Sequence, residues 1–247
     1  MPRAPGKFAG NLIPLISYTM NDLTKYLHSS IGKKQIVAVT GLLLIGFVLV
    51  HLAGNFFIYA GPDAFNGYAQ KLHNLRPGLY VLEGGLLIIF LVHLFVTYLL
   101  VVENINARPR AYRIIKPMTA ESVMARLMPM SGALIVAFVI WHLLDFTFVD
   151  HEGPKSFMPD GQPQGLYGVV YNAFADPIHS SLYVLCMVVI GIHLAHGVQS
   201  FYQTFGLANA DNADFLHKIS AGVGILIALG YSSIPIYVFL DSLKYSY

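Results

Sequence analysis

The chain has 247 residues, 55% of them hydrophobic and only 11% charged, with a mean hydropathy of +0.59. A soluble domain carries about 25% charged residues, so composition argues against one, and no Lys/Arg-rich run with interleaved aromatics points to nucleic acid. The formal net charge of +2 says little about partners, and the one cysteine, Cys186, allows neither an intrachain disulfide nor a CxxC metal site.

The N-terminal stretch, residues 1–33, holds only a short apolar run, Leu12 to Ile16, broken by Pro14. A secretory signal needs a longer apolar core and a small-residue cleavage site, so this stretch reads as a polar N-terminal segment. Residues 34–247 then read as one all-α membrane domain of five transmembrane helices. The apolar runs in chain order are Lys34–Tyr59, Leu79–Val102, Leu127–Val149, Ile178–Phe205 and Lys218–Leu240. Each reaches the ~20 residues that cross a ~30 Å hydrocarbon core. Gly61-Pro62-Asp63, Pro109 and Pro117, Gly153-Pro154 with Pro159 to Pro163, and the polar turn Asn209 to Asp214 separate them. No internal repeat at a solenoid period is evident.

Positive charge orients the bundle. One side collects eleven Lys and Arg: Arg3, Lys7, Lys25, Lys33, Lys34, Arg108, Arg110, Arg113, Lys116, Arg126 and Lys218. The other collects four: Lys71, Arg76, Lys155 and Lys244. The expectation is a multi-pass protein of the cytoplasmic membrane with its N-terminus in the cytoplasm and its C-terminus outside.

Four of the ten histidines, His51, His93, His142 and His193, fall deep in the first four spans, one in each, and His196 lies one turn beyond His193. An imidazole inside a span is costly unless it faces the bundle interior and finds a partner, and four in succession are hard to explain as packing. His51 and His142 each lie ~22 Å along an outward-running helix, whereas His93 and His193 lie ~15 and ~18 Å from the inner ends of inward-running ones. The depths pair His51 with His142 toward the outside and His93 with His193 toward the cytoplasm. Two imidazoles from facing helices fill both axial positions of a haem iron and leave no open site, which suits electron transfer. Without a CxxCH sequence, such haems are held non-covalently. Gly41, Gly46, Gly54, Gly84, Gly85, Gly132, Gly191 and Gly197 lie near these histidines, where a flat macrocycle or a neighbouring helix can approach. Zinc or copper bound by four histidines is the metal-only alternative, disfavoured by the two depths.

Several stretches resemble one family. Ser29-Ser30-Ile31-Gly32-Lys33-Lys34, Thr40-Gly41-Leu42 and His51-Leu52-Ala53-Gly54-Asn55 look like the start of the cytochrome b558 subunit of succinate dehydrogenase/fumarate reductase. Gly61-Pro62-Asp63-Ala64-Phe65-Asn66-Gly67-Tyr68-Ala69, Met130-Ser131-Gly132 with His142-Leu143-Leu144-Asp145, and His193-Leu194-Ala195-His196-Gly197-Val198-Gln199-Ser200 resemble it too. The resemblance implies a five-helix anchor with two b haems, axial ligands His51, His93, His142 and His193, and His196 in a supporting place. It implies flavoprotein and iron–sulfur partner subunits on the cytoplasmic face, which would hold the dicarboxylate chemistry. Electrons would pass between the iron–sulfur subunit and a membrane quinone, menaquinone or another. Some members carry a glutamate two residues before the fourth ligand for proton transfer; Gly191 stands there in this chain, which puts that route in doubt.

Haem propionates need donors near a membrane surface, for which Ser30, Lys33 and Arg126 are candidates. Quinone chemistry needs donors to two carbonyls and a proton relay, for which His73, Asn74, Arg76, Glu83 and Asp145 are candidates. A di-haem anchor of another dehydrogenase, such as a hydrogenase or formate dehydrogenase, is the rival reading. A haem-free transporter is the third.

Overall fold

The structure is a computed structural model that describes residues 22–107 and 120–245. Arg3, Lys7, Arg108, Arg110, Arg113 and Lys116, which carry much of the charge asymmetry, lie outside the described residues. Residues 22–28 are helical. Seven longer helices follow: α1 (Ser30–Asn55), α2 (Pro62–His73), α3 (Gly78–Asn106), α4 (Ala120–Phe146), α5 (Gly165–Ala175), α6 (Pro177–Thr204) and α7 (Ala213–Ser242). The described residues contain no named strand, only an isolated bridge between Phe157 and Pro163.

Five helices are long and apolar enough to cross a membrane: Ser30–Ala60, Gly78–Asn106, Arg126–Phe146, Pro177–Thr204 and Ala213–Ser242. These are the five expected spans, most of them longer than hydropathy alone drew them. The first starts at Ser30 because the Ser29 hydroxyl accepts from the Gly32 amide at 3.1 Å and caps the helix. The fourth starts at Pro177 because the Asp176 carboxylate accepts from the Ile178 amide at 2.8 Å and Pro177 sits at the first helical position. Leu, Ile, Val and Phe side chains such as Val50, Leu82, Ile88, Phe95, Leu185 and Leu229 face outward along the spans, as lipid-facing positions require.

Two helices occupy stretches that read as loops. Helix α2 begins at Pro62, with Asp63 in its first turn and Lys71 and His73 in its last, a charge order that complements the helix dipole. Gly61-Pro62 thus starts a helix as well as ending a span. Helix α5 buries Tyr167, Val169, Val170, Tyr171 and Phe174. Asn66 of α2 ties the two together: its amide donates to the Gln164 carbonyl at 2.9 Å and its oxygen accepts from the Tyr167 amide at 3.0 Å.

Most of the buried core lies at this end of the bundle, opposite Ser30. Leu52, Phe65, Phe138, Tyr167, Tyr171, Phe174 and Tyr183 form one cluster there with Ile234 and Val238. The most extensive helix pairing is α6 with α7. It closes on Gly191 and Gly224, where a Cβ on Gly191 would stand 2.6 Å from the Gly224 carbonyl oxygen and 2.7 Å from the Ala228 methyl. Glycine is needed there because two backbones touch.

Candidate functional site

His51 of α1 and His142 of α4 face each other with ring centroids 5.9 Å apart and planes 85° from parallel. Aromatic rings enclose them. Phe47, one turn before His51, stacks on it at 5.4 Å, and Tyr231 of α7 stands at 6.1 Å, its hydroxyl donating to the Val48 carbonyl at 2.7 Å. Around His142, Phe138 stacks at 5.8 Å and Phe146 sits edge-on at 5.3 Å. The His142 Nδ1 is buried with no hydrogen-bond partner. An orphaned polar atom inside a span is costly.

His93 and His193 are held differently. The His93 Nδ1 lies 3.0 Å from the Thr40 hydroxyl of α1, and the His193 Nδ1 lies 3.0 Å from the Ser131 hydroxyl of α4. Each hydroxyl residue is followed by glycine. A Cβ on Gly41 would stand 3.2 Å from the His93 ring, and one on Gly132 would stand 3.6 Å from the His193 ring.

The two arrangements repeat at one spacing. Thr40 precedes His51 by eleven residues on α1, and Ser131 precedes His142 by eleven on α4. Eleven residues of helix rise about 16 Å. The Thr40 and Ser131 bonds therefore set His93 and His193 at one level and His51 and His142 at another, about 16 Å along the bundle. This separation exceeds the one drawn from span ends, because α1 and α4 both begin before the ends that hydropathy gave.

At the His51–His142 level the donor chemistry fits a haem. Two imidazoles joined through one metal atom, at the ~2.0–2.1 Å bonds that imidazole nitrogens make to zinc, place their centroids roughly 6 Å apart. The His51–His142 spacing of 5.9 Å is close to that. Among the described residues no group of three or more His, Cys, Asp or Glu side chains gathers to hold a metal ion. Two imidazoles alone suit a metal whose other ligands come from a macrocycle, and the four-histidine zinc or copper alternative finds no cluster.

The remaining candidates divide. Asp145, one turn beyond His142, accepts a hydrogen bond from the Tyr183 hydroxyl at 2.8 Å and lies 3.2 Å from the His179 Nε2, both on α6. Trp141 packs on both partners, at 5.0 Å from His179 and 4.7 Å from Tyr183. Arg76 and Glu83 form a separate, exposed pair 4.0 Å apart, with Arg76 also donating to the Tyr80 hydroxyl at 3.2 Å. His73 and Asn74 are exposed at the end of α2, where Asn74 accepts from the Gln70 amide at 2.9 Å. At the other end of the bundle Lys33 is ion-paired with Glu103 of α3. Ser30 and Arg126 are both exposed, Ser30 in the first turn of α1 and Arg126 where the third span begins. Of the glycines near the histidines, Gly41 and Gly132 meet imidazoles, Gly54 meets Tyr68 and Gly191 meets α7, while Gly46, Gly84, Gly85 and Gly197 have nothing within 4 Å of a Cβ. The Gly191 contact leaves no room for a carboxylate side chain at that position.

Sequence reasoning passed over Thr40 and Ser131 as partners of the histidines, and His179 and Tyr183 entirely. The equal eleven-residue offsets were the available signal for the first two. Nothing local marks His179 or Tyr183, whose roles come from α6 packing on α4.

Five helices long and apolar enough to cross a membrane, with His51 and His142 facing each other between two of them, define a polytopic membrane protein. No family model and no solved structure matches the chain. It is similar to the succinate dehydrogenase cytochrome b558 subunit of Bacillus subtilis (strain 168), with 21% identity over 202 residues that cover 81% of this chain and 90% of that protein. The resemblance read from the motifs is thus met by a similarity running through most of both chains.

Proposed function

We propose that the chain is the di-haem cytochrome b membrane anchor of a succinate:quinone oxidoreductase, passing electrons between an iron–sulfur subunit and a membrane quinone such as menaquinone. The observation that carries this reading is the repeated arrangement of imidazoles at two levels, eleven residues apart on both α1 and α4. The similarity to a succinate dehydrogenase cytochrome b558 subunit supports the choice of complex. The flavoprotein and iron–sulfur partners dock on the cytoplasmic face, at the Ser30 end of the bundle, and the C-terminus lies outside.

His51 and His142 hold one iron, and His93 and His193 hold the other. Bound there, haem supplies one-electron carriage through the span. The chain's own residues do the rest. Phe47, Phe138, Phe146 and Tyr231 keep water from the His51–His142 level. Ser30 and Arg126 offer donors to propionates at the Ser30 end, and Lys33 joins them if it exchanges Glu103 for a propionate. At the opposite end Asp145, with His179 and Tyr183 beside it, exchanges the protons that a quinone takes up on reduction or a quinol gives up on oxidation. His73, Asn74 and Arg76, between the end of α2 and the start of α3, and Glu83 in the second turn of α3 line the approach from the membrane surface.

Purification of the chain with its native partners tests the reading. Two b-type haems per chain, with flavin and iron–sulfur signals and succinate-dependent reduction of the haem bands, are expected. Co-purification with a hydrogenase or formate dehydrogenase, or a preparation without haem, would overturn it.

A further inference from the structure

We infer that Thr40 and Ser131 are positioning residues, each holding its imidazole as the Nδ1–H tautomer so that Nε2 faces the iron and the ring donates more strongly to it. The inference rests on the proposed haem between His93 and His193. Its basis is a count of protons. A hydroxyl carries one hydrogen and two lone pairs. The Thr40 hydroxyl donates to the Ile36 carbonyl at 2.7 Å, with the Val37 carbonyl at 3.1 Å also on its donor side. The Ser131 hydroxyl donates to the Met128 carbonyl at 3.1 Å. With that hydrogen spent on its own helix, each hydroxyl turns a lone pair toward the imidazole nitrogen 3.0 Å away. Nδ1 must then be the donor at both histidines, and in a neutral imidazole the acceptor lone pair falls to Nε2.

The consequence is electronic as well as geometric. A ligand histidine that donates its other N–H has a fixed ring orientation and a more basic coordinating nitrogen, and loss of such a partner typically costs ~10–100-fold in metal affinity or activity. A more basic ligand favours the ferric state. The His142 Nδ1 has no such partner, so the two haems receive unequal support from the chain. Gly41 belongs to the same device: a Cβ there would stand 3.2 Å from the His93 ring, so glycine lets that ring lie against the helix beside the hydroxyl that holds it.

The test is an optical redox titration of the haem bands in the purified complex, with Thr40→Val, Ser131→Ala, the double variant and the conservative Thr40→Ser. The His93–His193 haem is identified by the band lost in His93→Ala. Each hydroxyl-deleting variant is expected to favour reduction of that haem, by up to tenfold in the one-electron equilibrium, which is 59 mV. The double variant shifts further, the other haem stays in place, and Thr40→Ser behaves as wild type. The low-spin ferric electron paramagnetic resonance signal of the same haem changes with the loss of ring orientation. Selective loss of that haem in Thr40→Val, restored by Thr40→Ser, also supports the assignment. Unchanged potentials and spectra in both Thr40→Val and Ser131→Ala would overturn it, as would a shift confined to the other haem or loss of both haems together. A wild-type complex without haem would instead defeat the proposed function on which the inference stands.

Discussion

The His51 and His142 rings meet at 5.9 Å with their planes 85° apart, while His93 and His193 each lie 3.0 Å from a hydroxyl. One level of the bundle is therefore enclosed by aromatic rings and the other is held by hydrogen bonds. This asymmetry gives each level its own response to mutation.

The contact between α6 and α7 predicts a position-specific cost. Replacing Gly191 by Ala forces a methyl into the Gly224 backbone, and overpacking of this kind costs about 1–3 kcal/mol. Gly84→Ala, where a Cβ meets nothing within 4 Å, is the matched control. Thermal unfolding in detergent should show a lowered midpoint for the first and little change for the second. Gly191→Glu should be worse than Gly191→Ala and should create no proton route.

Asn66 predicts a second stability effect. Its side chain makes two bonds to the backbone that leads into α5. With Asn66→Ala the Tyr167 amide loses the oxygen that Asn66 offers it, at a cost of about 1–3 kcal/mol if left unsatisfied, while the Gln164 carbonyl keeps its bond from the Gly168 amide at 3.1 Å. Limited proteolysis between residues 150 and 164 should speed up, while the haem spectrum stays intact.

Asp145 separates the two groups of quinone candidates. Asp145→Asn should lower quinone-coupled turnover by about a hundredfold or more, the lower end of the range for a general acid or base, with both haem bands retained. His179→Gln should have the same sign. Glu83→Gln, at an exposed side chain, should stay within about twofold, as surface charge pairs contribute little. Equal losses at Asp145 and Glu83 would place both on one path.

The five spans were legible because hydropathy over ~20 residues reports burial in lipid directly. Helices α2 and α5 were not, because each is short and Gly61-Pro62 reads as a breaker when the chain is scanned for membrane runs. The histidines stood out as polar groups in apolar runs. Thr40 and Ser131 did not, because hydroxyls are cheap in a helix interior when they bond back to the i−3 or i−4 carbonyl. Their role appears only where α3 and α6 bring an imidazole to that hydroxyl. Lys33 illustrates the opposite case: its position near a surface was evident, but its pairing with Glu103, seventy residues away, depends on how α1 meets α3.

The central claim is the pairing of four histidines at two levels, and haem content by redox-difference spectroscopy in single histidine variants tests it most directly. His51→Ala and His142→Ala should remove the same haem, His93→Ala and His193→Ala the other, and His196→Ala neither. Loss of one shared haem in His51→Ala and His93→Ala, with the second retained in both, would contradict the account.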